Sequence, residues 1–472
     1  MEALLEPLRE LAEIEEIQNE KKKEAGLIQI TGCVGSQKTH LTCALGSDCK
    51  YKLIVTSGES KAKQMYEEYR FLKETVYLYP AKDLLFYHAD LRGKQLVSSR
   101  METIQALLLG EGCTVITTFD AFMDSLLPIE TIRERIFSLK VGDIIDFEKV
   151  QKDLALLGYE REVQIEGPGQ FAVRGGILDV YPLTEEVPVR IELWDDEIDS
   201  IRTFDVESQR SIENLEEITI YPASEFMDEK TKRVSFLDYF PREDTLLFLE
   251  EPARLIEQGE AVEAEFIESM KKRVETGCEV SDEEVKLFAP KEIASKMNQY
   301  PGIGLSILEG KRNLFHVKKS IHLQVKGVNP YNNSFETLTR DLARLKRSGY
   351  RVILLSGSRT RAKRLAEDLR DYSLSSFYSE EMDREVQPGE IMVAYGHVDE
   401  GYEYPLLKFI VISETDIFGK KKKKKKRKTY EGQKIQSFSD LKVGDYVVHE
   451  NHGLGIYQGI ERLKSIKLQK II

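Results

Sequence analysis

The feature that most constrains this chain is the segment Gly32-Cys33-Val34-Gly35-Ser36-Gln37-Lys38-Thr39, which has the spacing of a phosphate-binding loop. Such a loop follows a buried strand, and the apolar run at 26–31 is typical of one. Lys38 and Thr39 stand where the lysine and hydroxyl of the motif meet phosphate and magnesium. The spacing therefore predicts a P-loop fold.

One position of the loop departs from the motif. Gln37 stands where the pattern requires glycine, so that the backbone can approach the phosphate oxygens closely; Gly32 and Gly35 remain. A side chain at position 37 would lie in the path of the nucleotide. If the backbone there were left-handed, a non-glycine residue would also cost about 1 to 2 kcal/mol. We therefore predict a degenerate loop that neither hydrolyses ATP nor binds it tightly.

Composition sets limits on the class of protein. A chain of 472 residues has room for about three to five domains. No apolar run approaches the ~18 residues of a membrane helix, and the N-terminus lacks the pattern of a signal peptide, so a cytoplasmic location is expected. Five cysteines without a C-x-x-C pair predict neither a zinc site nor a disulfide framework. A net charge of −13 argues against a surface that binds nucleic acid throughout.

Helical and strand patterns alternate through residues 1–125, which favours a parallel sheet with flanking helices. Five apolar residues follow one helical stripe near the N-terminus: Leu4, Leu8, Leu11, Ile14 and Ile17. The predicted strands that follow the loop are 51–57, 74–79 and 113–118, and a helix is predicted over 90–109.

From about residue 128 the pattern changes to short strands and glycine-rich turns, typical of a small inserted β-rich domain. Within it, runs at 189–194 and 198–204 alternate around Asp195-Asp196-Glu197, which predicts a hairpin.

After this domain, the apolar run at 245–249 ends in Glu250 and Glu251. In an ATPase, an aspartate and a glutamate at the end of such a strand hold magnesium, and Glu250 would stand in the aspartate position. The alternative is a core strand followed by solvent-exposed acids. Taken without the phosphate-binding loop, the apolar run at 245–249 favours the core strand with exposed acids.

The order of these segments resembles a known family. The loop T-G-C-V-G-S-Q-K-T, the segments Y-E-R and V-R-G-G-I-L-D-V-Y-P, the hairpin W-D-D-E-I-D-S-I-R-T-F-D and the strand Y-F-P-R-E-D-T-L-L-F-L-E-E occur in the same order in the excision-repair protein UvrB. They resemble still more the N-terminal half of bacterial transcription-repair-coupling factors, as does F-D-V-E-S-Q-R-S. In UvrB the loop is intact, whereas in coupling factors this N-terminal copy is degenerate, in agreement with Gln37 and Glu250.

The resemblance implies an α/β, multidomain chain with degenerate P-loop lobes. Its expected parts are a UvrB-like domain 1a at 1–125, an inserted UvrA-binding-like domain at 126–212, a UvrB-like domain 1b at 213–330, an α/β domain at 331–419, a linker at 420–437, and the start of a β-barrel at 438–472.

The expected α/β domain at 331–419 shows helical patterns at 335–348 and 358–369 and strands at 352–355, 390–395 and 409–413. It is vaguely like the second lobe of a helicase, but no arginine-finger motif Q-x-x-G-R-x-x-R follows its 393–401 segment. His397 is expected to be structural or solvent-facing, since no nucleophile or second histidine lies near it in sequence.

The unbroken basic run at 420–428 favours a disordered linker, with transient DNA contact as the alternative. The segment 442–457 resembles the opening of the RNA-polymerase-interacting domain of coupling factors. After residue 463 the match stops, so we expect the barrel, its polymerase surface and the DNA translocase motor of the family to be missing here. His449 and His452 lack further ligands for a metal site.

The family resemblance implies a docking module that recruits UvrA in transcription-coupled nucleotide excision repair. No catalytic residue, metal or cofactor is expected in this chain, since ATP and magnesium belong to the family's motor. The resemblance implies that Arg161, Phe171 and Arg174 are the UvrA-binding residues, since the arginines of UvrB that match Arg161 and Arg174 help to bind UvrA; a further family arginine falls on Ala172. Replacing both arginines by alanine is predicted to weaken UvrA binding at least about tenfold with little change in thermal stability.

Two other functions stay open on the sequence alone. A working ATPase or helicase of the UvrB type would require glycine at position 37 and an arginine finger. A nucleic-acid-binding module acting through the lysine run would show a steep salt dependence of DNA binding.

Overall fold

The computed structural model describes residues 2–21, 25–72, 75–82, 94–183, 185–223, 232–275, 287–310, 314–419, 446–449 and 453–456. The lysine run at 420–428, the rest of the predicted linker, and residues 438–445 and 457–472 lie outside these ranges, as does His452. No helix within the described ranges is long and apolar enough to cross a membrane.

The helices, in chain order, are α1 Glu2–Leu5, α2 Ala12–Glu20, α3 Gln37–Leu45, α4 Glu59–Phe71, α5 Lys94–Leu109, α6 Ile129–Arg133, α7 Phe147–Leu156, α8 Pro252–Glu275, α9 Pro290–Met297, α10 Phe335–Arg347, α11 Arg359–Asp371 and α12 Glu414–Phe418.

The strands are β1 Gly26–Thr31, β2 Tyr51–Thr56, β3 Val76–Tyr79, β4 Cys113–Thr118, β5 Phe137–Lys140, β6 Glu160–Glu162, β7 Gln170–Arg174, β8 Ile177–Tyr181, β9 Val189–Trp194, β10 Glu197–Phe204, β11 Ser211–Leu215, β12 Glu217–Ile220, β13 Thr245–Glu250, β14 Pro301–Leu305, β15 Val317–His322, β16 Lys326–Gly327, β17 Arg351–Ser356, β18 Phe377–Ser379, β19 Ile391–Tyr395, β20 Tyr402–Tyr404, β21 Phe409–Ile412, β22 Tyr446–His449 and β23 Gly453–Ile456.

The first unit is a seven-stranded sheet in the order β15-β1-β14-β13-β2-β4-β3. Every neighbouring pair in it is parallel. Its strands come from the segments that precede and follow the inserted domain in the sequence, so the segments expected as domains 1a and 1b share one sheet. Because the carboxyl ends of parallel strands meet at one edge, the loop after β1 and the acids that end β13 lie at the same edge.

The inserted domain is a six-stranded sheet in the order β11-β10-β9-β8-β7-β6, and β5 pairs with β12 beside it. The predicted hairpin is present as β9 and β10, joined by Asp195 and Asp196. Asp195 has a positive φ of 59°, the conformation that such two-residue turns require. We call residues 137–222 the inserted module.

The third unit is a six-stranded sheet in the order β16-β20-β21-β17-β19-β18. The helices predicted at 335–348 and 358–369 are α10 and α11, and the three predicted strands are β17, β19 and β21. Near the C-terminus, β22 and β23 form an antiparallel pair. The prediction of a multidomain α/β chain with an inserted β-rich domain is therefore confirmed.

The N-terminal segment joins the first and third units. All five apolar residues of the predicted stripe are buried, but the helix is interrupted by a 3-10 turn at 6–10 and by extended backbone at Leu11. One apolar cluster contains this stripe, Ile28 of β1 and Leu355 of β17. The guanidinium of Arg351 also pairs with Glu10. The first and third units thus share a core.

Candidate functional site

The loop predicted from the sequence connects β1 to α3 at the carboxyl edge of the first sheet. Gly32 and Gly35 have positive φ angles of 85° and 39°. A Cβ on Gly32 would lie 2.1 Å from the Leu323 carbonyl oxygen, and one on Gly35 would lie 2.7 Å from a carboxylate oxygen of Glu400. Glycine is therefore required at position 32 by a backbone neighbour, whereas at position 35 it is favoured by the positive φ and by the Glu400 side chain above it.

Gln37 does not have a left-handed backbone; it is the first residue of α3, so the strain considered for that position does not arise. Its side chain is fully buried. The amide nitrogen donates to the Tyr404 hydroxyl at 3.0 Å, and the amide oxygen accepts from the backbone N–H of Val34 at 3.3 Å. Gln37 thus links the loop to β20 of the third unit.

Lys38 is buried between two carboxylates. Its Nζ lies 2.6 Å from Glu250 Oε1 and 2.7 Å from Glu251 Oε1. Burial alone would lower the pKa of Lys38, but the charge of Glu250 and the hydrogen bonds to both acids outweigh it, so the pKa is raised above its ordinary value. The interpretation of Glu250 as a solvent-exposed acid is therefore wrong: it ends a buried strand and neutralises the loop lysine.

The loop hydroxyls meet a third carboxylate, Glu68 of α4. Ser36 Oγ donates to Glu68 Oε1 at 2.5 Å, and Thr39 Oγ1 donates to Glu68 Oε2. The backbone N–H of Asp399 donates to Glu68 Oε1 at 3.1 Å. Glu68 is buried, with 1% of its surface exposed, and it lies on the core face of α4 with Met65. The hydroxyl that would hold magnesium in an intact loop thus binds a carboxylate of the chain itself.

The third unit covers the loop. The backbone N–H of Glu400 donates to Ser36 Oγ at 3.1 Å, and its carboxylate lies over Gly35. Buried His40 lies 2.7 Å (Nε2) from the Leu4 carbonyl and 3.2 Å (Nδ1) from the Tyr404 hydroxyl. Burial lowers the pKa of His40 to about 4, so its ring is neutral at physiological pH.

The neutral tautomer of His40 follows from its partners. A carbonyl only accepts, so Nε2 carries the proton and Nδ1 accepts from Tyr404. The resulting chain of hydrogen bonds runs from Gln37 through Tyr404 and His40 to Leu4. It joins the loop to the third unit and to the N-terminal segment.

The polar side chains of the loop therefore have partners within the chain. The ammonium of Lys38 and the hydroxyls of Ser36 and Thr39, which in an intact loop would face phosphate and magnesium, face carboxylates. Sequence reasoning missed Glu68, His40 and Tyr404, although His40 directly follows the motif. No group of three or more His, Cys, Asp or Glu side chains that could hold a metal ion occurs in the described part of the chain.

The second predicted site lies in the inserted module. Arg161 is exposed in the edge strand β6, and its register partner in the parallel neighbour β7 is Phe171. Phe171 is 1% exposed and belongs to the module core, so its side chain supports the sheet and does not itself present a contact surface.

Arg174 ends β7, three residues beyond Phe171, and so points to the opposite face of the sheet from Phe171 and Arg161. Its Nη2 donates to the buried Asp179 at 2.6 Å. Ile177 pairs with Arg174 and so lies on the same face as it, whereas Val173 pairs with Leu178 on the face of the module core. The two arginines belong to one sheet but to different faces.

Asp179 has a second partner. Arg190 Nε and Nη2 donate to its two carboxylate oxygens at 2.7 Å and 2.9 Å, and the Arg190 guanidinium lies 4.3 Å from the ring centre of Phe204. Asp179 is 1% exposed, so both arginines compensate a buried charge. Arg174 therefore contributes to the fold of the module as well as to its surface.

Comparison with known proteins supports the resemblance. Residues 137–226 match the family model described as the UvrB interaction domain, and residues 441–470 match the CarD-like/TRCF RID domain. The second match runs past residue 463, so the expectation that the resemblance stops there is wrong. The transcription-repair-coupling factor of Bacillus subtilis is 29% identical over 93% of this chain and 42% of its own length. That of Staphylococcus haemolyticus is 27% identical over the same shares, and that of Staphylococcus aureus strain MRSA252 is 28% identical over 83% of this chain and 38% of its own length.

The chain spans about two-fifths of the length of the relatives it matches. The predicted resemblance to the N-terminal part of transcription-repair-coupling factors, with UvrB-like domains, is confirmed.

Proposed function

We propose that this chain is a docking module that recruits UvrA in transcription-coupled nucleotide excision repair, and that it acts by binding and not by catalysis. The observation that carries this proposal is the match of residues 137–226 to the UvrB interaction domain. In the structure, residues 137–183 and 185–222 of this region form a six-stranded sheet and a two-stranded pair with a core of their own.

The test is titration of purified UvrA with the chain in a calorimeter. We expect saturable binding, and we expect purified UvrB to displace the chain, because the matched domain type is the one UvrB carries. Absence of saturable binding at concentrations where UvrB itself binds UvrA would exclude the proposal. Binding that persists under excess UvrB would show that the inserted module is not the docking element.

The proposal includes loss of nucleotide chemistry at the loop. The Lys38 ammonium is neutralised by Glu250 and Glu251, and a triphosphate would have to displace these carboxylates and Glu68 to reach the groups that bind phosphate. We expect no ATP turnover with or without DNA, measured as phosphate release. Turnover typical of ATPases that is abolished by Lys38→Arg would contradict this expectation.

Two further partners belong to the proposal. The match of residues 441–470 to the CarD-like/TRCF RID domain supports RNA polymerase as a partner of that region, which co-purification with polymerase tests. The second partner is DNA, which residues 420–428 would contact weakly. Such contact predicts an affinity for duplex DNA that falls steeply with salt and is lost when the eight lysines and Arg427 of this run are replaced by serine.

A further inference from the structure

The two faces of the inserted module's sheet differ in how much of each is covered. On one face, Phe171, Leu178 and Ile191 pack with Val150 and Leu154 of α7 in a closed core. The other face is covered only in part, where Ala172 and Phe204 pack with Ile165. Near the ends of β7 and β9 that second face is open to solvent.

The strand register defines the residues of this open end. Arg174 pairs with Ile177, Ile177 pairs with Glu192, and Glu192 is two residues before Trp194, so all four side chains lie on one face. Trp194 pairs with Glu197, which in turn bridges to Ile144. We call Ile144, Arg174, Trp194, Asp195, Asp196 and Glu197 the Trp194 surface.

This surface exposes large apolar side chains in a fixed arrangement. Trp194, the single tryptophan of the chain, is 80% exposed, and Ile144 is 81% exposed. The two lie on either side of Glu197 in one row across the hairpin. The Arg174 guanidinium is held by Asp179, so its position is set before any partner arrives. Tryptophan and arginine are the side chains that most often dominate the energy of protein interfaces.

The charge around the tryptophan indicates the kind of partner. Residues 137–226 contain eight Lys and Arg and twenty-one Asp and Glu, a net charge of −13, which equals that of the whole chain. Asp195, Asp196 and Glu197 are exposed beside Trp194, and none of them forms an ion pair with another described residue. A surface of this composition is complementary to an apolar recess surrounded by basic groups.

We infer that the Trp194 surface is the part of the module that docks on UvrA, with the indole in an apolar recess and the hairpin acids facing basic residues of UvrA. This rests on the proposed function and narrows it: the open face carries the interface, while Arg161, on the other face, lies outside it. A rigid hairpin that presents an aromatic anchor loses little conformational entropy on binding.

The test compares three single variants by calorimetric titration against purified UvrA. Trp194→Ala should weaken binding at least about tenfold, whereas Arg161→Ala should leave it within about twofold. Leu156→Ala is the matched control, because Leu156 is an exposed apolar residue of the same module outside the Trp194 surface. The thermal melts of all three should match that of the wild type, since each side chain is exposed.

A second readout uses the single tryptophan. With fluorotryptophan incorporated into this chain alone, the fluorine NMR signal reports on Trp194 and is silent for UvrA. The signal should shift on addition of UvrA, and lysine-rich competitor peptides or added salt should weaken the complex. If UvrA binds but the signal does not move and Trp194→Ala binds with wild-type affinity, the inference is overturned and the proposed function stands. If wild-type chain does not bind UvrA, both are overturned.

Discussion

The loop after β1 and the Trp194 surface are opposites in how they satisfy their side chains. At the loop, the lysine and the hydroxyls inherited from a nucleotide site face carboxylates of the same chain. At the Trp194 surface, an indole and three carboxylates face solvent. In the first region the polar groups contact other residues of the chain, including residues of the third unit. In the second region the groups are exposed to solvent. Binding function is thus to be sought where side chains lack internal partners, even though the loop carries the more familiar motif.

The largest expected loss of stability follows from a change at Lys38 of the loop. Lys38→Ala would leave the buried Glu250 and the partly buried Glu251 side by side without their cation, and removing one partner of a buried ion pair costs about 3 to 5 kcal/mol. We expect the free energy of unfolding to fall by that amount, measured from the helical circular dichroism signal in urea. Lys63→Ala is the matched control, because Lys63 pairs with Glu59 at the surface of α4 and its loss should cost less than about 1 kcal/mol. Equal costs for the two variants would show that the loop cluster is not a structural element.

The buried His40 makes the stability of the loop region depend on pH. Its pKa is about 4 in the folded chain and 6.5 in the reference state, so below pH 6.5 the unfolded chain binds the proton more readily. Stability from this group is complete above about pH 6.5 and is lost as the pH falls toward about 4. Between about pH 7 and about pH 4.5 we expect a loss of about 2 to 3 kcal/mol from His40 alone.

Other groups that face this network must be separated from His40. The Tyr404 hydroxyl, whose pKa burial raises, does not titrate in this range. Glu68 and Glu400 are carboxylates that also face the network, so a variant of His40 itself is needed to isolate its contribution. His40→Gln, which keeps a donor and an acceptor, should therefore lose less stability over the same interval than the wild type. Exposed His397→Gln serves as the control for loss of an imidazole outside this network. Identical profiles for His40→Gln and wild type would exclude the neutral, buried imidazole as their cause.

The architecture could be predicted from the sequence because its signals are local. Apolar runs ending at turns marked β1, β13 and the β9–β10 hairpin, and the loop motif marked the edge of the sheet where Lys38 and Glu250 meet. The partners of the loop could not be predicted in the same way. Glu68 is 29 residues from Thr39 and Tyr404 is 367 residues from Gln37, so no spacing rule connects them.

The face of the module's sheet on which each side chain lies was still harder to predict. Side chains alternate with a period of two, so an error of one residue in register moves a side chain to the other face. Arg161 and Arg174 come from strands with a parallel pairing and an intervening loop, and their relative orientation depends on the pairing of Arg161 with Phe171. For this reason the two arginines looked equivalent in the sequence and are not equivalent in the structure.

That difference gives the smallest of the expected effects. Arg174→Ala removes one of the two arginines that compensate the buried Asp179, while Arg190 remains, and Arg174 itself is half-exposed. Allowing for solvent screening, we expect a loss of about 1 kcal/mol in the free energy of unfolding. Arg161→Ala should cost nothing measurable, because Arg161 is exposed and has no ion pair with another described residue.

We therefore expect the double variant Arg161→Ala with Arg174→Ala to melt slightly below the wild type, and its UvrA affinity must be compared with its stability. Arg174→Lys separates the two contributions: it keeps a cation near Asp179 but loses the planar, two-pronged geometry of a guanidinium. If Arg174→Lys melts like the wild type yet binds UvrA more weakly, Arg174 contacts the partner directly. If stability and affinity recover together in Arg174→Lys, the arginine acts only by holding the strand end that carries the Trp194 surface. A destabilisation by Arg161→Ala equal to that by Arg174→Ala would contradict the stabilising role given to the pair of Arg174 with Asp179.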